Sequence, residues 1–135
     1  LVHDGTLQRA PVVADVAVVG DRIVAVGDLS GWTALRRLDA TGRVVAPGFI
    51  DTHSHAAESL ARRGLHTAEA LLAQGVTTIV INPDGGGPVD IAAQRARLAT
   101  LGTGVNVAPL VGHGAIRGAV IGGAQRAGRT RTSRS

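Results

Sequence analysis

Cysteine and lysine are both absent from this 135-residue chain, and the aromatic side chains are reduced to Trp32 and Phe49. Without cysteine there is neither a disulfide framework nor a thiolate metal site, and a cytoplasmic compartment is the expectation. Two aromatic residues are too few for the base stacking on which single-strand nucleic-acid binding depends. All 14 basic residues are arginine, and Arg126, Arg129, Arg131 and Arg134 crowd into the C-terminal end. The other arginines balance the 10 acidic residues, so the high isoelectric point describes a tail and not a folded surface. No nucleic-acid partner is expected, and a basic binding module would rest on residues 126–135 alone. No run of ~18 uninterrupted apolar residues occurs that could span a bilayer. The nearest candidate, residues 105–124, is broken by Asn106, His113 and Arg117. No leader pattern opens the chain, so a soluble protein without a membrane partner is expected.

What is present is aliphatic and glycine-rich: 44% hydrophobic residues and 19 glycines, a composition for short buried strands joined by tight turns. Residues 14–19 and 22–26 alternate in polarity around Gly20-Asp21, which predicts a hairpin. A further short strand is expected at residues 36–39, before a turn at Thr41-Gly42. From Arg43 the pattern changes to strands alternating with helices. The apolar run 44–46 leads through Pro47-Gly48 into Phe49-Ile50 and the cluster Asp51-Thr52-His53-Ser54-His55. A helix fits residues 67–74, with Thr67 as N-cap and Gly75 as its stop. Residues 76–81 (VTTIVI) are β-branched almost throughout, as in a strand buried on both faces of a parallel sheet. Pro88 can open the next helix and Gly102 close it, with Ile91, Leu98 and Leu101 on one face. Residues 105–111 read as a third strand, running into Gly112-His113-Gly114.

The fold class is therefore α/β. Residues 1–42 form the N-terminal part of a small β-domain, 43–124 a strand-and-helix domain, and 125–135 a basic, low-complexity tail expected to be disordered. Three such strands are too few to close a barrel.

Side chains two apart on a strand point the same way, so Asp51, His53 and His55 project to one side where the strand gives way to its loop. Two imidazoles presented together can bind one divalent metal, but two ligands do not complete a site. Taken alone, the pair reads equally as surface histidines. His3 and His66 have no motif around them.

The run VVAPGFIDTHSHA, residues 44–56, resembles the first-barrel-strand motif of the metal-dependent amidohydrolase superfamily. Residues 11–46, with ADVAVVGDRIVAVG and LDATGRVVAPG, are similar to the small β-sandwich domain that precedes the barrel in these enzymes. GVTTIVINPDGGG (75–87) and NVAPLVGHGAIR (106–117) make the likeness strongest to the N-acyl-D-amino-acid deacylase, or D-aminoacylase, branch.

The resemblance implies a partial TIM-like (β/α) barrel, its first three strands, preceded by part of that β-sandwich domain. It implies a divalent metal, zinc, held by His53 and His55, with Asp51 orienting them. The branch commonly carries a cysteine ligand just after its second strand, where this chain has Asp84. Asp84 is thus a candidate ligand, and the alternative is a residue that only makes the Asp-Gly turn. A carboxylate would harden the site and widen its metal choice. His113 and Arg117 are candidate contacts for a small-molecule amide substrate, Arg117 through a substrate carboxylate; each reads otherwise as a loop or solvated residue.

The implied reaction is hydrolysis of an amide C–N bond, with N-acyl-D-amino acids as substrates. The aspartate general base and further histidine ligands belong in the family to later barrel strands. The chain is therefore expected to be an N-terminal fragment, inactive by itself. Alternatives are a non-catalytic truncated piece, a dihydroorotase- or hydantoinase-like cyclic amidase, and the basic-tail binding module.

Overall fold

A computed structural model describes residues 1–6 and 8–122. The tail expected at 125–135 lies outside the described residues. The chain divides into two compact units, Leu1–Pro47 and the part from Gly48 onward.

The first unit is built on a hairpin. Strand β1 (Asp15–Val19) pairs antiparallel with β2 (Arg22–Gly27), with Val19 opposite Arg22 and a register shift between Ala17 and Val18. Gly20 takes the left-handed conformation, φ 60°, that lets so tight a connection follow the strand twist. Val2 bridges both Val12 and Val45, bringing the start of the chain beside the end of the unit. Val45 thus belongs to this bridge; the strand foreseen from residue 44 begins only at Phe49. Residues 36–39 form no strand. Leu35 is fully and Leu38 largely exposed there, and with no neighbouring strand to accept its backbone groups the segment gains nothing from extension. Asp39 turns the chain instead, its carboxylate accepting the Thr41 N–H at 2.9 Å.

In the second unit, strands and helices alternate: β3 (Phe49–Ser54), α1 (Ala57–Leu60), α2 (Glu69–Leu72), β4 (Val76–Ile81), α3 (Ile91–Leu101), β5 (Asn106–Pro109) and α4 (His113–Ile121). The three strands form a parallel sheet in the order β3-β4-β5. The β-branched run of β4 occupies the centre, as its composition requires, but its burial alternates. Ile79 and Ile81 are wholly enclosed while Val80 and Thr78 are half-buried. The core joins Leu60 of α1, Ala68, Leu98 of α3 and Val105 to these isoleucines. Full burial of each large aliphatic side chain contributes about 1.5–3 kcal/mol, so this cluster is what holds the helices to the sheet.

The start of α3 follows side-chain chemistry and not proline placement. α3 starts three residues beyond Pro88, because the Asp90 carboxylate accepts the Ala93 N–H at 2.8 Å and caps the first turn. Gly102, φ 75°, ends it. α2 is shorter than expected and is entered through Ala68, φ 53°, with no side-chain cap from Thr67. The segment after β5 is helical from His113 onward. No helix among the described residues is long and apolar enough to cross a membrane.

Candidate metal centre

The site grows from the C-terminal ends of β3 and β4, where parallel strands release their loops on the same edge of the sheet. β3 does not run evenly into its loop. The β3–β4 register shifts between Asp51 and Ser54, so Thr52 and His53 are offset from the ladder. Irregularities of this kind bend a strand and re-aim its side chains. Asp51 stabilises the bend: its carboxylate accepts the main-chain N–H of His53 at 3.0 Å. Ser54 is buried, its hydroxyl accepting the Ala56 N–H at 3.4 Å, and His55 follows immediately with an exposed ring. The two imidazoles lie with centroids 5.3 Å apart, tilted by 56°.

The third group arrives from β4. After Ile81 the chain enters a tight loop in which Asn82 and Asp84 both adopt left-handed backbone angles, φ 64° and 59°. Asparagine and aspartate tolerate this region best among residues with a Cβ. The loop carries the Asp84 carboxylate back toward β3. Its Oδ2 lies 3.4 Å from His53 Nε2 and 3.3 Å from His55 Nε2. The donor atoms of all three residues fall within 4.8 Å of one another.

These separations are longer than the ~2.7–3.2 Å of a good N–H···O hydrogen bond. They equal the edge of a tetrahedron with metal–ligand bonds of about 2.0–2.1 Å, roughly 3.3–3.4 Å. Two neutral imidazoles and a carboxylate form a donor set suited to a divalent first-row ion, and three protein ligands are the number a catalytic zinc site uses. The side chains are 60–70% exposed, so an ion reaches them from solvent and their mutual attraction alone is weak. The donor chemistry and spacing thus fit a metal.

His113 and Arg117 lie on α4 and are not members of this group. Their helix is nonetheless seated on the loop that carries Asp84. The Ala115 N–H donates to the Gly85 carbonyl at 3.0 Å. A Cβ at position 112 would overlap the carbonyls of Gly85 and Gly86, so only glycine allows the two loops to approach this closely. His113, the first residue of α4, therefore stands on the backbone next to Asp84, with its ring exposed.

Residue-type reasoning missed Asn82. It is buried at 6% exposure, and its side-chain amide joins the ends of β4 and β5 to α3. The Asn82-Pro83 pair signals a turn. Nothing local signals that Gln94 and the Leu110 carbonyl would be its partners.

No family model matches the chain. An N-acyl-D-glutamate deacylase of Alcaligenes xylosoxydans xylosoxydans is 40% identical to it, across 77% of this chain and 25% of that protein. The chain matches part of the fold of two solved structures of D-aminoacylase. One, a mutant in complex with copper(II) chloride, matches with a TM-score of 0.76 and 36% identity over 89% of this chain and 30% of its own. The other, described as defining a novel subset of amidohydrolases, matches with a TM-score of 0.71 and 37% identity over 83% and 28%. The chain spans about a quarter to three tenths of the length of these relatives.

Proposed function

Because the chain belongs with the D-aminoacylase branch of the amidohydrolases in sequence and in fold, we propose that it carries the first part of a metal-dependent site for hydrolysing the amide C–N bond of N-acyl-D-amino acids. The observation that carries this reading is the meeting of His53 Nε2 and His55 Nε2 at one oxygen of Asp84.

His53, His55 and Asp84 hold the ion, and zinc is a metal that two imidazoles and a carboxylate suit. When bound, such an ion supplies Lewis acidity toward a carbonyl and toward water. The protein's own residues do the positioning. Asp51 fixes the backbone of His53, and the left-handed loop from Asn82 to Gly85 presents the Asp84 carboxylate. His113 and Arg117 sit one helical turn apart on one side of α4, and we assign them to the substrate, Arg117 to its carboxylate. The donor group contains no second carboxylate to serve as general base. In this reading that residue, and the closing strands of a (β/α) barrel, come from sequence beyond the matched quarter of the relatives.

Metal content tests the reading directly. Zinc-loaded protein and its His53→Ala/His55→Ala double variant are compared by elemental analysis after dialysis. The expected result is loss of bound zinc in the variant, and unchanged stoichiometry sinks the assignment. Substrate class is tested on the polypeptide its gene encodes in full, by release of the acyl acid from N-acetyl-D-glutamate against its L-enantiomer. Equal rates for both enantiomers, or none with either, would remove the deacylase reading.

A further inference from the structure

Among the described residues, the Asp84 carboxylate has no hydrogen bond that holds it toward the histidines; its place is set by the backbone of its loop. That loop starts at Asn82, the first residue after β4. Buried side-chain amides require partners, and this one is fully engaged. Asn82 Nδ2 donates to the Leu110 carbonyl, beyond the end of β5, and to Gln94 Oε1 on α3, both at 2.9 Å. Gln94 Nε2 donates back to Asn82 Oδ1 at 3.2 Å. One side chain thus joins β4, the β5 end and α3 at the point where the chain turns left-handed toward Asp84. The loop also closes on it, since a Cβ at Gly87 would overlap the Asn82 side chain.

We propose that Asn82 is the positioning residue of the metal centre: its buried amide fixes the loop whose tip delivers Asp84 to His53 and His55. This rests on the metal-centre reading above. Asparagine meets two demands together. Its amide donates and accepts at once, as the reciprocal pair with Gln94 needs, and it tolerates the left-handed angle. Aspartate keeps the shape and the backbone angle but loses the donor to Leu110 and Gln94. Glycine keeps the angle alone.

Cobalt(II) is the probe, because its visible bands respond to coordination geometry. Affinity is read by competition with a chromophoric chelator, and the unfolding midpoint is measured without metal. Asn82→Gly and Asn82→Asp are compared with Gln94→Ala, which removes only the α3 arm, and with His53→Ala. We expect both Asn82 variants to weaken cobalt binding by about 10–100-fold, the usual effect of losing a partner that orients a ligand. The visible spectrum should change with it, and Gln94→Ala should fall between these variants and the parent. Folded Asn82→Asp and Gln94→Ala proteins with parental affinity and spectrum would overturn the proposal, provided His53→Ala abolishes binding. If neither Asn82 variant folds, Gln94→Ala decides alone, by the same criterion. If His53→Ala binds cobalt as the parent does, the metal-centre reading itself fails.

Discussion

His55 Nε2 and Asp84 Oδ2 lie 3.3 Å apart although β4 and two short helices separate the residues in the chain. Neighbouring parallel strands end on the same edge of the sheet, so the loop after β4 lies beside the loop after β3. Sheet topology therefore converts two distant segments into one donor group.

If His53 and His55 are ligands as proposed, removing either imidazole should cost more metal affinity than the ~10–100-fold typical of an outer partner. His53→Ala and His55→Ala, each titrated with zinc against a competing chelator, measure this. Parental affinity in either variant would exclude that residue from the site.

Asp84→Asn retains the left-handed turn propensity and removes the negative charge. Zinc affinity should fall while the unfolding midpoint of the metal-free protein stays within the range of a surface change, about 0.5 kcal/mol. Asp84→Cys should bind zinc and show a greater preference for it over manganese, since thiolate is the softer donor. An unaltered zinc affinity in Asp84→Asn would make Asp84 a turn residue only.

Gly112→Ala forces a methyl group against the carbonyls of Gly85 and Gly86. Backbone cannot move aside as a side-chain tip does, so we expect a loss of about 1–3 kcal/mol in urea unfolding, as for overpacked interiors. Gly118→Ala is the control, because a Cβ there meets open space and α4 gains a better helix former. Equal stability of the two variants would show that the loops are not in close contact.

Three fully exposed aspartates titrate below the ordinary carboxylate value of 3.8. The hydroxyl of Thr6 is the largest cause for Asp4, the Ser30 main-chain N–H for Asp28 and the Thr41 hydroxyl for Asp39, each stabilising the ionised form. With the folded pKa depressed, the turns gain stability that is present above pH 3.8 and lost as pH falls through the lower folded values. Carboxyl NMR titration should place all three midpoints below 3.8, and Thr41→Ala should move that of Asp39 upward. A midpoint for Asp39 that ignores the substitution would refute the hydrogen-bond cause.

The sequence by itself determined the features whose causes are local. Gly20-Asp21 between two alternating runs specifies the hairpin, Gly102 closes α3, and the β-branched residues of β4 select the centre of a parallel sheet. The His53-Ser54-His55 spacing and the motif around it make the histidines candidate ligands, and the resemblance to the D-aminoacylase branch, which commonly carries a cysteine at this position, makes Asp84 a third candidate. Tertiary structure decided the rest. Residues 36–39 have strand-like composition but no partner, and an unpaired segment gains nothing from being extended. Asp90 displaced Pro88 as the start of α3 because its carboxylate found the Ala93 N–H. The approach of Asp84 to two histidines depends on strand order, on a glycine contact between loops and on an amide shared by Asn82 and Gln94. Each of these is an interaction between groups far apart in the chain, and their meeting is set by how the strands and helices pack.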